Sequence, residues 1–329
     1  MVSKAVPKVI IAVPCLNERE HIAAVLDGLA AEAAALDAQI LVLDGGSTDG
    51  TREIVARMAG ANGRIRLVEN PKRLQSAAIN LAARLADGAD YLIRVDAHCA
   101  YPADYCRKLV AECQRVDASS VVVSLDTRGT SCFQRAVALA QNTRLGNGGS
   151  PHRLSSSGAF VKHGHHALFR LEAFLGVGGY DESFTHNEDA ELDHRLTSAG
   201  HRIWLTGACS AVYFPRSSPG RLFAQYRNYG RGRARTIRKH NLRPSPRQLV
   251  PAFIGPAVLL ALASPWFWPA SLPAAAWALA CLAYGVVLGI RQGGACETMS
   301  GLAAMIMHAA WSLGFWEGLF GPTKRERSR

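Results

Sequence analysis

The run Leu92-Ile93-Arg94-Val95 is mostly apolar and β-favouring, and it breaks off at Asp96-Ala97-His98. A strand of this kind suits a sheet covered by helices on both faces. It delivers Asp96 to the carboxyl edge, where open α/β sheets bind ligands. On its own the acid is an ordinary turn former, so the rest of the chain has to decide its meaning. Val9–Val13, Ile40–Leu43, Ile65–Val68 and Ser120–Leu125 repeat the pattern. Between them lie helical stretches: 20–36 (Ile22, Val25, Leu26 and Leu29 on one face), a helix opening near Arg52 with Thr51 or Asp49 able to cap it, 75–85 and 102–116. Strands alternating with helices of ten or more residues predict an α/β fold with a parallel sheet.

The polar segments that close these strands carry the candidate chemistry. The first strand ends in Pro14-Cys15-Leu16-Asn17-Glu18, and the second in Asp44-Gly45-Gly46-Ser47-Thr48-Asp49-Gly50-Thr51. The middle of the chain is less regular, with loop compositions at Gly146–Pro151 and Ser155–Gly158. Gly178-Gly179-Tyr180-Asp181 reads as a turn. Asn187 is placed to cap a helix opened by Glu188, Asp189 and Glu191, acids at the positive end of its dipole. His201–Leu205 reads as a late strand. His163, His165 and His166 read as a polar rim, since no Cys or further His completes a tetrahedral zinc set.

The C-terminal region is different material. Leu249–Trp268 carries no charge over 20 residues and Ala270–Ile290 none over 21, each enough to cross ~30 Å of hydrocarbon. Trp266, Trp268 and Trp277 suit interfacial belts. Pro269 and Pro273 punctuate the pair, which predicts a hairpin of two spans. Gly301–Phe320 is a third apolar segment, read as an interfacial helix. Of the formal charge of +11, most sits in Arg216–Arg247, which holds ten Lys or Arg and no acid. Positive segments stay on the cytoplasmic side. The two following spans, and the lack of aromatic-basic interleaving on a nucleic-acid-binding fold, argue against a nucleic-acid partner. Eight scattered Cys with no Cys-x-x-Cys pair fit a reducing compartment rather than a disulfide framework. The run from Lys4 into the first strand shows no signal peptide.

Val13–Glu18, Asp44–Thr51, Asp96-Ala97-His98, Gly178–Asp181 and Asn187-Glu188-Asp189 occur in the order and spacing of the motifs of family 2 glycosyltransferases. The chain resembles that family over about residues 7–235. Within it, Asp-Ala-His, His-Gly-His-His and Tyr229-Gly-Arg-Gly-Arg-Ala-Arg-Thr236 resemble bacterial exopolysaccharide β-glucosyltransferases of the succinoglycan type. The resemblance implies a GT-A (Rossmann-like) domain with a mixed, mostly parallel sheet over 1–235. A basic juxtamembrane segment (236–248), a membrane region (249–320, with spans near 249–268 and 270–290 and a third helix at 301–320) and a basic tail (321–329) would follow.

It further implies an inverting hexosyltransferase on the cytoplasmic face of the inner membrane. Such an enzyme would move glucose from UDP-glucose to a polyprenyl-diphosphate-linked sugar. The alternatives are transfer to a polyprenyl monophosphate, or a non-catalytic membrane scaffold. Pro14, Asn17, Glu18, Asp44, Arg73 and Asp96 would bind the nucleotide-sugar, with Asp44 accepting from the uracil N–H. Asp96 and His98 would hold Mn²⁺ or Mg²⁺, Asp96 being the surer ligand because imidazole prefers softer metals. Asp189 would be the base, with the like charge of Glu188 raising its pKa. Gln225, Arg227 and Arg231 would meet the diphosphate or the acceptor.

Overall fold

The computed structural model describes residues 7–148 and 158–321. Of the loop compositions expected at Gly146–Pro151 and Ser155–Gly158, residues 149–157 lie outside the described residues, as does the basic tail beyond Gly321, while Gly146 and Asn147 close a short helix. The chain forms two compact units, residues 7–125 with 158–213, and 126–148 with 214–321.

The first unit opens with β1 (Val9–Cys15), α1 (Ile22–Ala35), β2 (Gln39–Asp44), α2 (Thr51–Ala61), β3 (Ile65–Glu69), α3 (Gln75–Leu85), β4 (Tyr91–Arg94) and α4 (Tyr105–Val116). β5 (Ser120–Thr127) leads into the second unit, where α5 (Cys132–Gln141) and the short α6 (Arg144–Asn147) follow. The chain then returns as β6 (Ala159–Val161), β7 (His165–Arg170), α7 (Leu171–Gly176), α8 (Glu188–Ser198) and β8 (Ile203–Tyr213). The strand order is β3-β2-β1-β4-β7-β5-β8-β6. β3, β2, β1 and β4 run parallel. β7 is antiparallel to both β4 and β5.

This is the α/β fold the apolar runs foretell, with one addition. The region read as irregular contributes β7 to the middle of the sheet. Its sequence, His-His-Ala-Leu-Phe-Arg, opens with two polar residues, and these mask the strand pattern. Of the parallel strands, β1, β2 and β4 are buried on both faces: Ile11, Val13, Val42 and Ile93 pack under α1, α2 and α4, while Ala12, Leu41, Leu43 and Leu92 pack against α3. Each such aliphatic side chain contributes about 1.5–3 kcal/mol of burial. Every loop at the carboxyl edge therefore stands on a rigid base.

The second unit continues with α9 (Pro219–His240), α10 (Pro246–Ala252), α11 (Ile254–Ala261), α12 (Leu272–Gln292), α13 (Ala295–Thr298) and α14 (Ser300–Phe320). α9 starts as its sequence dictates, with Ser218 accepting from the Arg221 N–H and Pro219 at the first position. The basic stretch is thus one helix through residue 240, and a division after 235 falls inside it. α14 lies directly on α9: a Cβ at Gly314 would come within 1.8 Å of the Arg227 carbonyl, and one at Gly230 within 2.1 Å of that of Trp311. Glu317, an acid inside an apolar segment, is explained by this packing, since it accepts from both Arg227 and Arg231.

Two expectations are corrected here. The first expected span is not one helix. It breaks between α10 and α11, with Pro251 inside the former, and then runs through turns to a short 3₁₀ segment, Trp268–Ser271. Proline removes a helical N–H and clashes one turn back, which a count of uncharged residues does not register. Among the described residues, one helix, Trp268–Gln292, is long and apolar enough to cross a membrane. The cysteines are also not all free: Cys132 and Cys296 form a disulfide, with Cα atoms 5.1 Å apart. Their sequence separation of 164 hid a pairing made by α5 and α13. The other six are buried thiols.

Candidate active site

The loops after β1 and β2 are clasped together. Asn17 N–H donates to Ser47 Oγ (2.8 Å), Thr48 N–H to Asn17 Oδ1 (2.9 Å), Glu18 N–H to Thr51 Oγ1 (2.9 Å) and Arg19 N–H to Asp49 Oδ2 (3.0 Å). Asp49, rather than Thr51, receives the first N–H of α2 (3.0 Å). Asp44 anchors the clasp from below. It is wholly buried and accepts from Gly46 N–H, Ser47 N–H and Oγ–H, and Arg52 Nη1. Burial alone would raise its pKa, but these donors hold it below the usual carboxylate range. Gly46 is required twice over: its φ is +85°, and an added Cβ would come within 3.3 Å of the Arg73 guanidinium.

Above the clasp is a cleft of about 210 Å³, lined by residues that include Pro14, Glu18, Gly45, Arg73, Asp96 and His98. Of the expected nucleotide-binding residues, Pro14, Glu18, Arg73 and Asp96 thus meet in one cavity. Asn17 and Asp44 build the loops around it. His98 Nδ1 lies 3.3 Å from Glu18 Oε1, the arrangement by which a carboxylate orients a metal-ligating imidazole. Asp96, His98 and Cys99 offer ligand atoms all within 4.8 Å of one another. Burial, helped by the charge of Asp96, pushes the Cys99 thiol up to about 12, and a thiol suits softer metals than Mn²⁺ or Mg²⁺. The donor set that fits a divalent cation is Asp96 with His98, leaving the remaining positions to phosphate oxygens and water.

Sequence reasoning passed over Arg94. It is 5% exposed, and its guanidinium holds two acids at once. Nε and Nη2 donate to Asp96 Oδ1 (3.0 Å) and Oδ2 (3.3 Å), and Nη1 donates to Asp189 Oδ1 (3.1 Å). Gln75 adds a bond to Asp96 Oδ1 (2.6 Å), and Tyr180 Oη–H one to Asp189 Oδ1 (2.6 Å). His165 lies between the acids, 3.7 Å from Asp96 Oδ2 and 3.9 Å from Asp189 Oδ2. Burial and the neighbouring Arg94 hold its pKa below the usual imidazole range. The histidine rim therefore divides. His165 faces the acids, while His163 and His166 (2.7 Å) grip buried Asp193, one turn along α8 from Asp189.

The Gly-Gly-Tyr-Asp turn now has a role. Asn80 of α3 reads the Tyr180 backbone both ways, accepting from its N–H and donating to its C=O, both at 2.8 Å. This fixes the phenol against Asp189. Tyr180→Phe should lower turnover about tenfold with folding intact, since it removes the bond to Asp189 and a longer one from Arg94. Steady-state kinetics beside a melting curve checks it.

The two neighbouring acids at the start of α8 divide in the opposite sense to that expected. Asn187 sits at the cap position with φ 64°, and its side chain makes no capping bond. Burial would raise Asp189, but Arg94, the two histidines and Tyr180 bring it below the usual range. Glu188 is the one raised, to about 7, by burial and then by the charge of Asp189. A carboxylate whose folded pKa lies above its unfolded value stabilises the fold at low pH and loses that contribution as pH rises through the folded pKa. Glu188→Gln should therefore raise stability by roughly 1–3 kcal/mol at pH 8 and much less at pH 5. Denaturant melts at the two pH values test this, and equal gains would remove the shift.

Gln225, Arg227 and Arg231 lie on α9 in the second unit, where Glu317 engages both arginines and Gln225 donates to Tyr229 Oη (3.0 Å).

Comparison with known proteins adds four findings. The sequence model of glycosyl transferase family 2 matches residues 10–177. The succinoglycan biosynthesis protein ExoA of Rhizobium meliloti (strain 1021) is 51% identical over 317 residues, 96% of either chain. A dolichyl N-acetyl-alpha-D-glucosaminyl phosphate 3-beta-D-2,3-diacetamido-2,3-dideoxy-beta-D-glucuronosyltransferase of Methanococcus voltae is 24% identical, over 70% of this chain and 74% of its own. Among solved structures, the fold is similar to that of a mannosyltransferase of Pyrobaculum calidifontis in complex with GDP-Man and Mn²⁺. Its TM-score is 0.59 at 21% identity, covering 95% of this chain and 87% of that one.

Proposed function

The chain belongs to glycosyl transferase family 2, and from that premise we propose that it transfers glucose from UDP-glucose to a polyprenyl-diphosphate-linked sugar in exopolysaccharide assembly. That it is a nucleotide-sugar-dependent glycosyltransferase of GT-A type follows from its family. The finer reading is supported by the relatives: one is named for succinoglycan biosynthesis and another for a lipid-linked sugar acceptor. The observation that carries it is the pair of acids, Asp96 in the donor cleft and Asp189 beside it, held on one buried guanidinium.

In this reading Pro14, Glu18 and Arg73 receive the nucleotide, while Asp44 and Asn17 keep the loops in place. Asp96 and His98 would hold a divalent cation, which when bound would supply positive charge for the diphosphate leaving group. Asp189 is the base. Its Oδ1 is fixed by Arg94 and Tyr180, so Oδ2 takes the proton of the acceptor hydroxyl. The acceptor oxygen bonds to the anomeric carbon as the bond to the diphosphate oxygen breaks on the opposite face, inverting the centre. Glu188, raised to about 7 beside it, carries a full second charge only above that pH. The second unit attaches the enzyme to the cytoplasmic face of the membrane through its apolar helices. On α9, Gln225, Arg227 and Arg231 serve the lipid-linked diphosphate.

The test is release of UDP from a panel of UDP-sugars by the protein in membranes, with Mn²⁺ or Mg²⁺ and a polyprenyl-diphosphate-sugar. Acceptor-dependent release with UDP-glucose is expected. Release with another sugar alone would replace the donor. UDP binding without turnover would shift weight to a polyprenyl monophosphate acceptor or a scaffold.

A further inference from the structure

We propose that Arg94 is a positioning residue that sets the donor-side acid and the acceptor-side base at a fixed separation and orientation on a single guanidinium plane. The inference rests on the reading above, in which Asp96 serves the donor and Asp189 the acceptor.

Arg94 is the last residue of β4, and Asp96 follows two positions on, where the guanidinium reaches both of its carboxylate oxygens. It is 5% exposed. Burying a guanidinium is costly unless it is paired and hydrogen-bonded, and here the polar edge is engaged: Nε and Nη2 on Asp96, Nη1 on Asp189 and on Tyr180 Oη (3.3 Å). Each partner has a second anchor of its own, Gln75 for Asp96, and Asn80 acting through Tyr180 for Asp189. These elements come from distant parts of the chain: β4, α3, the turn after α7, and α8. None of them alone fixes one acid relative to the other, whereas the planar fork does.

The consequence is geometric. In-line displacement needs the donor diphosphate and the acceptor base on opposite sides of one carbon, and misplacement by about 1 Å can cost 10²-fold. Lysine keeps the charge but offers a point donor on a flexible stem. Its three N–H donors can reach one acid or bridge both, but on a flexible stem they do not hold the angle between them.

The experiment uses the full-length protein in membranes or detergent and compares wild type with Arg94→Lys, Asp189→Asn and the double variant. Arg94→Gln stands in should the lysine variant fail to fold by near-ultraviolet circular dichroism. Retention of Mn²⁺ in the presence of UDP, read by electron paramagnetic resonance, is measured beside sugar transfer. Arg94→Lys is expected to cut kcat at least 30-fold, with acceptor KM within threefold, and to weaken UDP-dependent Mn²⁺ retention at least fivefold. The double variant is expected to transfer no worse than threefold below Asp189→Asn, because groups acting as a unit are not additive. Near-wild-type transfer and retention in the charge-preserving variant would overturn the proposal, as would losses that multiply in the double variant. If wild type retains UDP and Mn²⁺ yet transfers to no lipid-linked sugar, the proposed function fails. Mn²⁺ retention in the Arg94 variants then still decides whether Arg94 holds Asp96.

Discussion

Asp189→Asn should reduce sugar transfer by about 10³-fold, within the range expected for losing a general base, while nucleotide-dependent metal binding persists. The substitution is chosen for its shape. Asparagine keeps an oxygen to accept from Arg94 and Tyr180, so the anchored side of the residue survives. It replaces Oδ2, the oxygen turned toward His165, by an amide that cannot take a proton. Lost charge has a second effect. Glu188 owes part of its raised pKa to the neighbouring Asp189 carboxylate, so the asparagine variant should also return Glu188 toward an ordinary carboxylate. Transfer at more than a tenth of the wild-type rate would remove Asp189 as base. Transfer that survives in Asp189→Asn once Glu188 is ionised, and is lost in the Asp189→Asn, Glu188→Gln double variant, would hand the role to Glu188.

The parts of this site that the sequence discloses are those whose signal is local. β1, β2 and β4 are legible because strands buried on both faces must be apolar, and their closing acids and glycines stand out against that background. Asp96 and Asp189 follow from the order of the motifs. What escapes is whatever depends on which distant residue arrives beside a given side chain. Asp44 and Asp96 both close apolar strands, yet one anchors a loop and the other lines a cleft; neighbours decide this, and residue type does not. Arg94 looks like a blemish in an apolar run. The clue was available, since a cation at the end of a strand buried on both faces demands acids, and the nearest acid stands two positions on. β7 is hidden by its two leading histidines, and the α9–α14 packing by residues that are informative only as a pair, glycine against backbone. The sheet is thus readable one strand at a time, whereas the electrostatic centre becomes readable only after the strands are assembled.

The remaining large effect falls on the cation. Asp96→Asn should lower transfer at least 100-fold and weaken Mn²⁺ retention in the presence of UDP at least tenfold, while His98→Ala should weaken retention less. The ranking comes from how each ligand is held. Asp96 is 7% exposed. Burial opposes its ionisation, but Arg94, His165 and His98 outweigh that and keep it well below the usual carboxylate range, so it stays charged at any pH the enzyme meets. Its orientation is set by three bonds, from Gln75 Nε2 and from Arg94 Nε and Nη2. His98 stands on a more exposed loop against Glu18. Imidazole is also a softer ligand than carboxylate and suits Mn²⁺ better than Mg²⁺. His98→Asp, which replaces the imidazole by a harder oxygen ligand, should therefore retain transfer and shift the preferred ion toward Mg²⁺. If instead His98→Ala proves more damaging than Asp96→Asn, the imidazole is the principal ligand. Asp96 would then matter through Arg94, as the fixed end of the guanidinium that orients the base.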